Sequence, residues 1–408
     1  MSVESSRLGY RVLFARGWKR WTTCLVIASC LATSLLAGRQ GPVSNEDRID
    51  DGRQIFRFDS FGDERQWTDQ LRMNEVIEAA VDPITALTLG LKVDVDALPD
   101  EVILALMAGQ VDLTDPATTL ALIKLNAVVG VVGNVQNVNG KDRLVSVGIT
   151  CALCHSTVDD SFIPGIGSRL DGWPNLQLDP GAIIAASPAV PDPVKAVYRS
   201  WGPGMFDPRF NIDGLSTPLV IPPAYGLLGV DKETYTAEGP VSYWNKYVAV
   251  TQMGGSGSFI DPRLGIEIVR HPELVEPKLA ALRDYQFSLA KPVPPAGSFD
   301  AAAADRGKIV FQSVGKCASC HIPPLYTDVN IGRLHAPAET GMDPAYANRT
   351  TSKRYRTTPL RGLATHAPYF HDGSAQTLSD VVEHYDTVLR LKLTAEQKQD
   401  LTEFLKSQ

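Results

Sequence analysis

The sequence predicts a mainly α-helical protein built from two units of one kind, the first enlarged by loop-rich insertions. Three observations lead there. One pentapeptide pattern occurs twice, as Cys151-Ala152-Leu153-Cys154-His155 and Cys317-Ala318-Ser319-Cys320-His321. The segments that follow the two copies can be laid over each other in the same order. Apolar residues recur at helical spacing in many stretches, and 33 Gly and 28 Pro cut these into elements joined by loops.

The repeated pentapeptide comes first because it carries chemistry. Side chains at i and i+3 share one face of a helical turn. Two thiols at that spacing can bond to the two vinyl groups of one porphyrin, and the His that follows can place an imidazole nitrogen on its iron. CxxCH is the attachment signature of c-type haem. With 6 Cys and 7 His in 408 residues, chance supplies roughly 0.002 such motifs per chain, so two copies are not accidental. A zinc site built from Cys151, Cys154, Cys317 and Cys320 and a thioredoxin-like redox motif both leave His155 and His321 without a role. The expected cofactors are two c-type haems with their iron, and the expected unit around each is a cytochrome c-type haem domain.

Composition limits the rest. The chain is 44% hydrophobic and 21% charged, enough to bury a core, and its net charge is −7. Removing the cationic N-terminus makes the remainder more acidic. That excludes nucleic acid as a partner and favours a charge-steered redox protein such as a small cytochrome or cupredoxin. Residues 1–38 read as a signal peptide or N-terminal anchor: Arg7, Arg11, Arg16, Lys19 and Arg20 precede an apolar run from Trp21 to Gly38. Export to the periplasm follows, with membrane contact only through an uncleaved anchor at the inner membrane. Cys24 and Cys30 belong to this segment, and haem attachment uses the other four cysteines.

Two domains are expected, 50–295 and 299–408, separated by the proline-stiffened linker Lys291-Pro292-Val293-Pro294-Pro295. Residues 41–70 read as polar and mixed, with Phe56, Phe58, Phe61 and Trp67 as anchors. Helices are expected from Arg72 to Ala80, from Leu98 to Gly109 and from Asp115 to the glycines at 130 and 133, which end it. A long irregular stretch over 160–240 holds Trp173 and Trp201, with short helices at 191–200 and 240–252. A longer helix runs from Glu273 to Leu289. In the second unit, helices are expected from Ala301 to Ser313 and from Thr377 to Leu389. A terminal helix opens on the capping box Thr394-Ala395-Glu396-Gln397.

The internal repeat matches Pro222-Pro223-Ala224-Tyr225-Gly226-Leu227 to Pro359-Leu360-Arg361-Gly362-Leu363. It then matches Tyr235 through Glu238-Gly239 to Tyr369 through Asp372-Gly373. A helix follows in each half.

The residue opposite each proximal His decides function, since a six-coordinate iron passes electrons and an open one binds peroxide. For the first haem, Met253 stands where the repeat places a distal residue, with Met205 second and an open site third. For the second, the candidates are Tyr385, His384, His371 and Met342. Tyr385 shares a helical face with Val381 and Val382, and His371 suits the propionates or the interface. His335 and His366 read as solvated loop residues. Catalytic residues are unassigned, with Glu238 and Asp171 as the acid–base guesses.

Residues 301–408 resemble the C-terminal haem domain of the bacterial di-haem cytochrome c peroxidase and MauG family. The resemblance runs from Thr358-Pro359-Leu360-Arg361-Gly362-Leu363 through Ala367-Pro368-Tyr369-Phe370-His371-Asp372-Gly373 to Val381-Val382-Glu383-His384-Tyr385. It implies that Tyr385 is the sixth ligand of the second haem, as in the MauG-like branch, where peroxidases carry Met. The first half departs from the family. A long stretch precedes its CxxCH, Asp171 and no His lies in the region where peroxidases place a distal His, and the interposed Trp has only Trp173, Trp201 and Trp244 as candidates. Electron transfer is the expected function, with His155, His321, Met253 and Tyr385 as iron ligands. A peroxidase-like oxidoreductase acting on hydrogen peroxide, or a haem-bearing subunit of a larger redox complex, is the alternative.

Overall fold

Two helix crossings of one design organise the chain. In a computed structural model describing residues 44–408, helix Ala301–Gln312 crosses the terminal helix Ala395–Lys406. The crossing point is Gly307, where a Cβ would lie 1.9 Å from the Asp400 carbonyl oxygen. One turn on, the rings of Phe311 and Phe404 pack at 5.0 Å, and Arg306 pairs with Asp400 at 2.6 Å. Helix Asn45–Phe58 meets helix Leu279–Ser288 in the same way. Gly52 is the contact, a Cβ there lying 2.1 Å from the Ala281 carbonyl oxygen. One turn on, Phe56 and Tyr285 pack edge to face at 5.5 Å. Glycine is required at both places because the backbones approach too closely for a side chain.

Residues 45–70 are thus structured where the sequence suggested only anchors. Phe56, Phe61 and Trp67 are buried and Phe58 is exposed. A π-turn, Arg65–Gln70, carries Trp67. The predicted helices form over Met73–Ala80, Asp100–Met107, Asp192–Arg199, Val241–Tyr247 and Leu378–Leu389, while the one from Pro116 stops at Lys124, short of Gly130, with Gly133 in a strand. The capping box at Thr394 and Gln397 is present, and Thr377 caps its helix in the same way through Asp380. The helix expected from Glu273 starts later, after a 3-10 turn at Glu276–Lys278, because the Glu273 carboxylate instead accepts from the backbone N–H groups of Val275, Glu276 and Ser258.

Several elements have no counterpart in the sequence reading, among them helices Pro83–Thr88 and Pro180–Ala185 and the strands, of which one hairpin is the largest. Val131–Val138 and Lys141–Ile149 form an antiparallel hairpin whose turn, Asn139-Gly140, has positive φ at both residues. Such turns match the twist of the flanking strands. The hairpin packs with helices Met73–Ala80 and Pro116–Lys124 around Leu120, Ile123, Leu144 and Val147. This material lies between Phe56 and Cys151, whereas Phe311 leads almost directly to Cys317. The extra length ahead of the first motif is therefore an insertion after the first helix. Residues 46–408 form one compact unit. The expected leader at 1–38 lies outside the described residues, and among those described no helix is long and apolar enough to cross a membrane.

Candidate functional site

Both pentapeptides open onto one cavity of about 770 Å³. Its lining includes Cys151, Cys154, His155, Cys317, Cys320 and His321, and is otherwise mostly apolar. The first motif forms one helical turn, Ala152–His155, and the second a 3-10 turn, Cys317–Ser319. None of the four cysteines is paired in a disulfide. Burial pushes Cys151 and Cys154 up to about 12 and Cys317 up to about 11, so each remains an S–H at neutral pH.

The two histidines are set up alike. His155 Nδ1 lies 3.1 Å from the Pro222 carbonyl oxygen, and His321 Nδ1 lies 2.9 Å from that of Tyr326. A carbonyl can only accept, so each Nδ1 carries the proton and each Nε2 keeps a free lone pair. Burial lowers His155 to about 4 and lowers His321 as well, which keeps both rings neutral. Paired thiols, a neutral imidazole with its outer nitrogen anchored and an apolar cavity fit a porphyrin. A four-cysteine zinc site does not fit. Among the described residues, the one cluster of metal-site dimensions is Cys320, Asp328 and His335, and it gathers one of the four thiols.

Met253 and Tyr385 both line the cavity. Met253 ends the π-turn Val248–Gln252 and is buried. Its carbonyl accepts from Trp67 Nε1 at 3.1 Å, which ties the insertion to this side of the cavity. Tyr385 stands edge-on to Phe370, with ring centroids 5.9 Å apart. Burial, and next the neighbouring Cys317 and Cys320, hold its hydroxyl far above the usual range, so it ionises only against a cation. Met205 does not line the cavity. It pairs with Val220 in a short strand, and Phe206 beside it lines the wall instead. Met342 and His371 line the cavity, and His384 is turned to the Thr340 carbonyl at 2.8 Å.

Four assignments from sequence change. Asp171 is no acid–base group: its side chain is bound by Arg57 Nε at 2.5 Å, Tyr285 Oη at 2.5 Å and Ser156 Oγ at 2.7 Å. Glu238 is likewise spent on Arg209 and Thr236. His335 is not solvated, since its ring bridges Asp328 and Glu339 at 2.9 and 3.2 Å. His366 is a cavity-wall residue, lowered to about 4 by burial.

The sequence reading missed the ionised part of the wall. Glu233 Oε2 accepts from Arg356 Nη1 at 2.9 Å and Arg361 Nη2 at 3.2 Å, and all three line the cavity. Glu233 Oε1, Arg356 Nε and Trp244 Nε1 are buried without a protein partner. Two guanidinium groups on one carboxylate leave this wall net positive, which suits an anionic group such as a porphyrin carboxylate. Arg361 belongs to the Pro359-to-Leu363 motif, so a signal existed for it, but no local pattern marks Glu233.

A neutral His with a free Nε2 after each paired-thiol turn, facing an apolar cavity, defines a haem-binding protein. Two curated relatives match part of the chain. The chain is 31% identical over 117 residues to the methylamine utilization protein MauG of Methylophilus methylotrophus, covering 26% of this chain and 35% of the relative. It is 34% identical over 118 residues to MauG of Methylorubrum extorquens, covering 26% and 33%. The chain thus spans about a third of the length of the curated relatives it matches. About a quarter of the chain is similar to these relatives, and most of its length lies outside the match. No family model matches. Among solved structures, a MauG-like protein associated with microbial copper homeostasis is similar at 19% identity and TM-score 0.33, over 47% of this chain and 74% of that one. A chain of Kuenenia stuttgartiensis hydrazine synthase is similar at 18% identity and TM-score 0.35, over 52% and 78%.

Proposed function

We propose that the protein is an exported di-haem c-type cytochrome that carries electrons through two covalently attached haems. The observation that carries this reading is the repeated arrangement in one cavity: two thiols, then an imidazole whose Nδ1 is fixed by a backbone carbonyl. The bound haems would supply the one-electron chemistry. The chain holds each porphyrin by its cysteines, keeps His155 and His321 neutral and oriented, and excludes water with an apolar lining. Met253 and Tyr385 close the two irons. The domains are 50–295 and 299–408, each built on its own glycine crossing. The partner is a small redox protein that docks at the second motif, where Lys316 and Ser319 are exposed.

Electron transfer is preferred to peroxide chemistry because Met253 is buried at the cavity wall and both guessed acids, Asp171 and Glu238, are bound in ion pairs. A peroxidase-like reading draws support from one group, the Glu233 carboxylate with its unpartnered oxygen at the cavity wall. The test is the protein made in a host that attaches c-type haem. The expected outcome is a mass two haems above the polypeptide, and two low-spin haems indifferent to hydrogen peroxide. A colourless product sinks the haem reading. A high-spin haem that changes spectrum with peroxide moves the assignment to the peroxidase-like alternative.

A further inference from the structure

The cavity wall carries a route from His155 to Tyr385 made of backbone, two hydrogen bonds and one aromatic ring contact. From His155 Nδ1, a 3.1 Å hydrogen bond reaches the Pro222 carbonyl. The backbone runs back through Ile221 to Val220, whose N–H donates to the His371 carbonyl oxygen at 2.8 Å. The next residue, Phe370, sets its ring edge-on against Tyr385, with centroids 5.9 Å apart. All the residues of this route line the cavity.

Two further features hold the route in place. Phe370 has φ +67, a conformation costly for a bulky side chain and kept only where the surroundings impose it. Tyr235 donates to the Val220 carbonyl at 3.1 Å, and His371 is clamped by Tyr355, ring on ring at 4.4 Å with an Nε2 to Oη distance of 3.0 Å. Among the described residues, the tryptophans offer no equivalent. Trp67 and Trp244 belong to Met253's side of the cavity, Trp67 through its bond to the Met253 carbonyl and Trp244 on the helix leading to it. Trp173 packs on Tyr225 and Trp201 sits in a cluster with Tyr198, Phe206 and Phe210.

We infer that Val220–Pro222 and Phe370–His371 form the electron bridge between the two haem sites, joining the His155 ligand to the Tyr385 side. The inference rests on the two-haem reading above. With both haems bound, one electron would pass from a ferrous second haem, oxidised to ferric, to a ferric first haem, reduced to ferrous, by way of these residues. No bond is made or broken, and the bridging N–H groups keep their protons. The initial electron comes from an added one-electron reductant.

The test uses full-length protein whose haem content has been checked by mass and whose two midpoint potentials have been measured. One site is reduced by a photoexcited ruthenium complex, and equilibration between the haems is followed by absorbance. Phe370→Leu keeps an apolar side chain and deletes the aromatic contact, and Val220→Pro deletes the N–H donor. Each is expected to slow equilibration several-fold at unchanged potentials, while Trp173→Phe leaves it unchanged. If Val220→Pro does not fold, Phe370→Leu decides alone. Two haems with unaltered equilibration in Phe370→Leu, or a slowing confined to Trp173→Phe, overturns the bridge. Missing haem in the wild-type protein overturns the two-haem reading instead.

Discussion

The two thiol–imidazole sites share chemistry and differ in their setting. Around the first, Ala152 and Leu153 between the cysteines are buried, and the neighbouring core includes Phe56, Phe61, Tyr247 and Val250. The insertion closes over it through Trp67. Around the second, Ser319 between the cysteines is exposed and the supporting core is a smaller cluster on two crossed helices. The first site is thus an interior one and the second reaches the surface. On the proposed reading, a redox partner would meet the second site before the buried first one.

This contrast can be broken experimentally, starting with the largest effect. Removing the first thiol pair (Cys151→Ala with Cys154→Ala) takes the porphyrin from the middle of the larger core. It should abolish folding or leave a protein prone to aggregate, whereas Cys317→Ala with Cys320→Ala should leave a folded protein carrying one haem. Mass and circular dichroism distinguish these outcomes, and equal behaviour of the two pairs would erase the distinction. Next in size is the shared wall. Arg356→Met leaves the Glu233 charge buried with one partner fewer, and losing one side of a buried ion pair costs about 3–5 kcal/mol, to be read from the urea midpoint.

The two crossings come third. Gly52→Ala and Gly307→Ala each drive a methyl into a carbonyl oxygen, and overpacking of this kind costs about 1–3 kcal/mol. Similar losses in both would support two units of one design, and a loss in only one would separate them. Fourth, Tyr385→Phe should change the low-spin signal of the second haem alone, and Met253→Leu that of the first alone, by electron paramagnetic resonance.

The smallest effect is a pH dependence confined to the first region. Asp63 is fully buried beside Ile149, with its Oδ1 unpartnered, and burial raises its carboxyl to about 9. The folded protein therefore holds a proton that the unfolded chain releases in the ordinary carboxylate range. Its contribution to stability is full below that range and is lost as pH rises toward 9. Asp63→Asn should flatten this decline in denaturant midpoints. An unchanged slope would show that Asp63 does not carry it.

Some of the structure was legible and passed over. Gly52-Arg53-Gln54-Ile55-Phe56 and Gly307-Lys308-Ile309-Val310-Phe311 carry the same Gly-to-Phe spacing, so the first helix had a twin in the sequence. The Asn139-Gly140 pair between alternating residues is a strong hairpin signal. Other features carried no local mark. Asp171 looked like a free carboxylate until Arg57 and Tyr285, far away in the chain, were seen to bind it. His335 and His366 looked like loop residues because loops are usually wet, and here a cavity wall encloses them.

By itself the sequence determined what depends on one helical turn: the paired thiols, the following imidazole, the capped helix starts and the breaks between helices. Spacing within a turn is geometry that the chain carries everywhere it goes. Only the tertiary structure decided which carbonyl orients each imidazole, which carboxylates are tied up by arginine and which residues face the cavity. Those contacts join segments far apart in sequence, and burial and pairing between such segments exist only once the chain has packed.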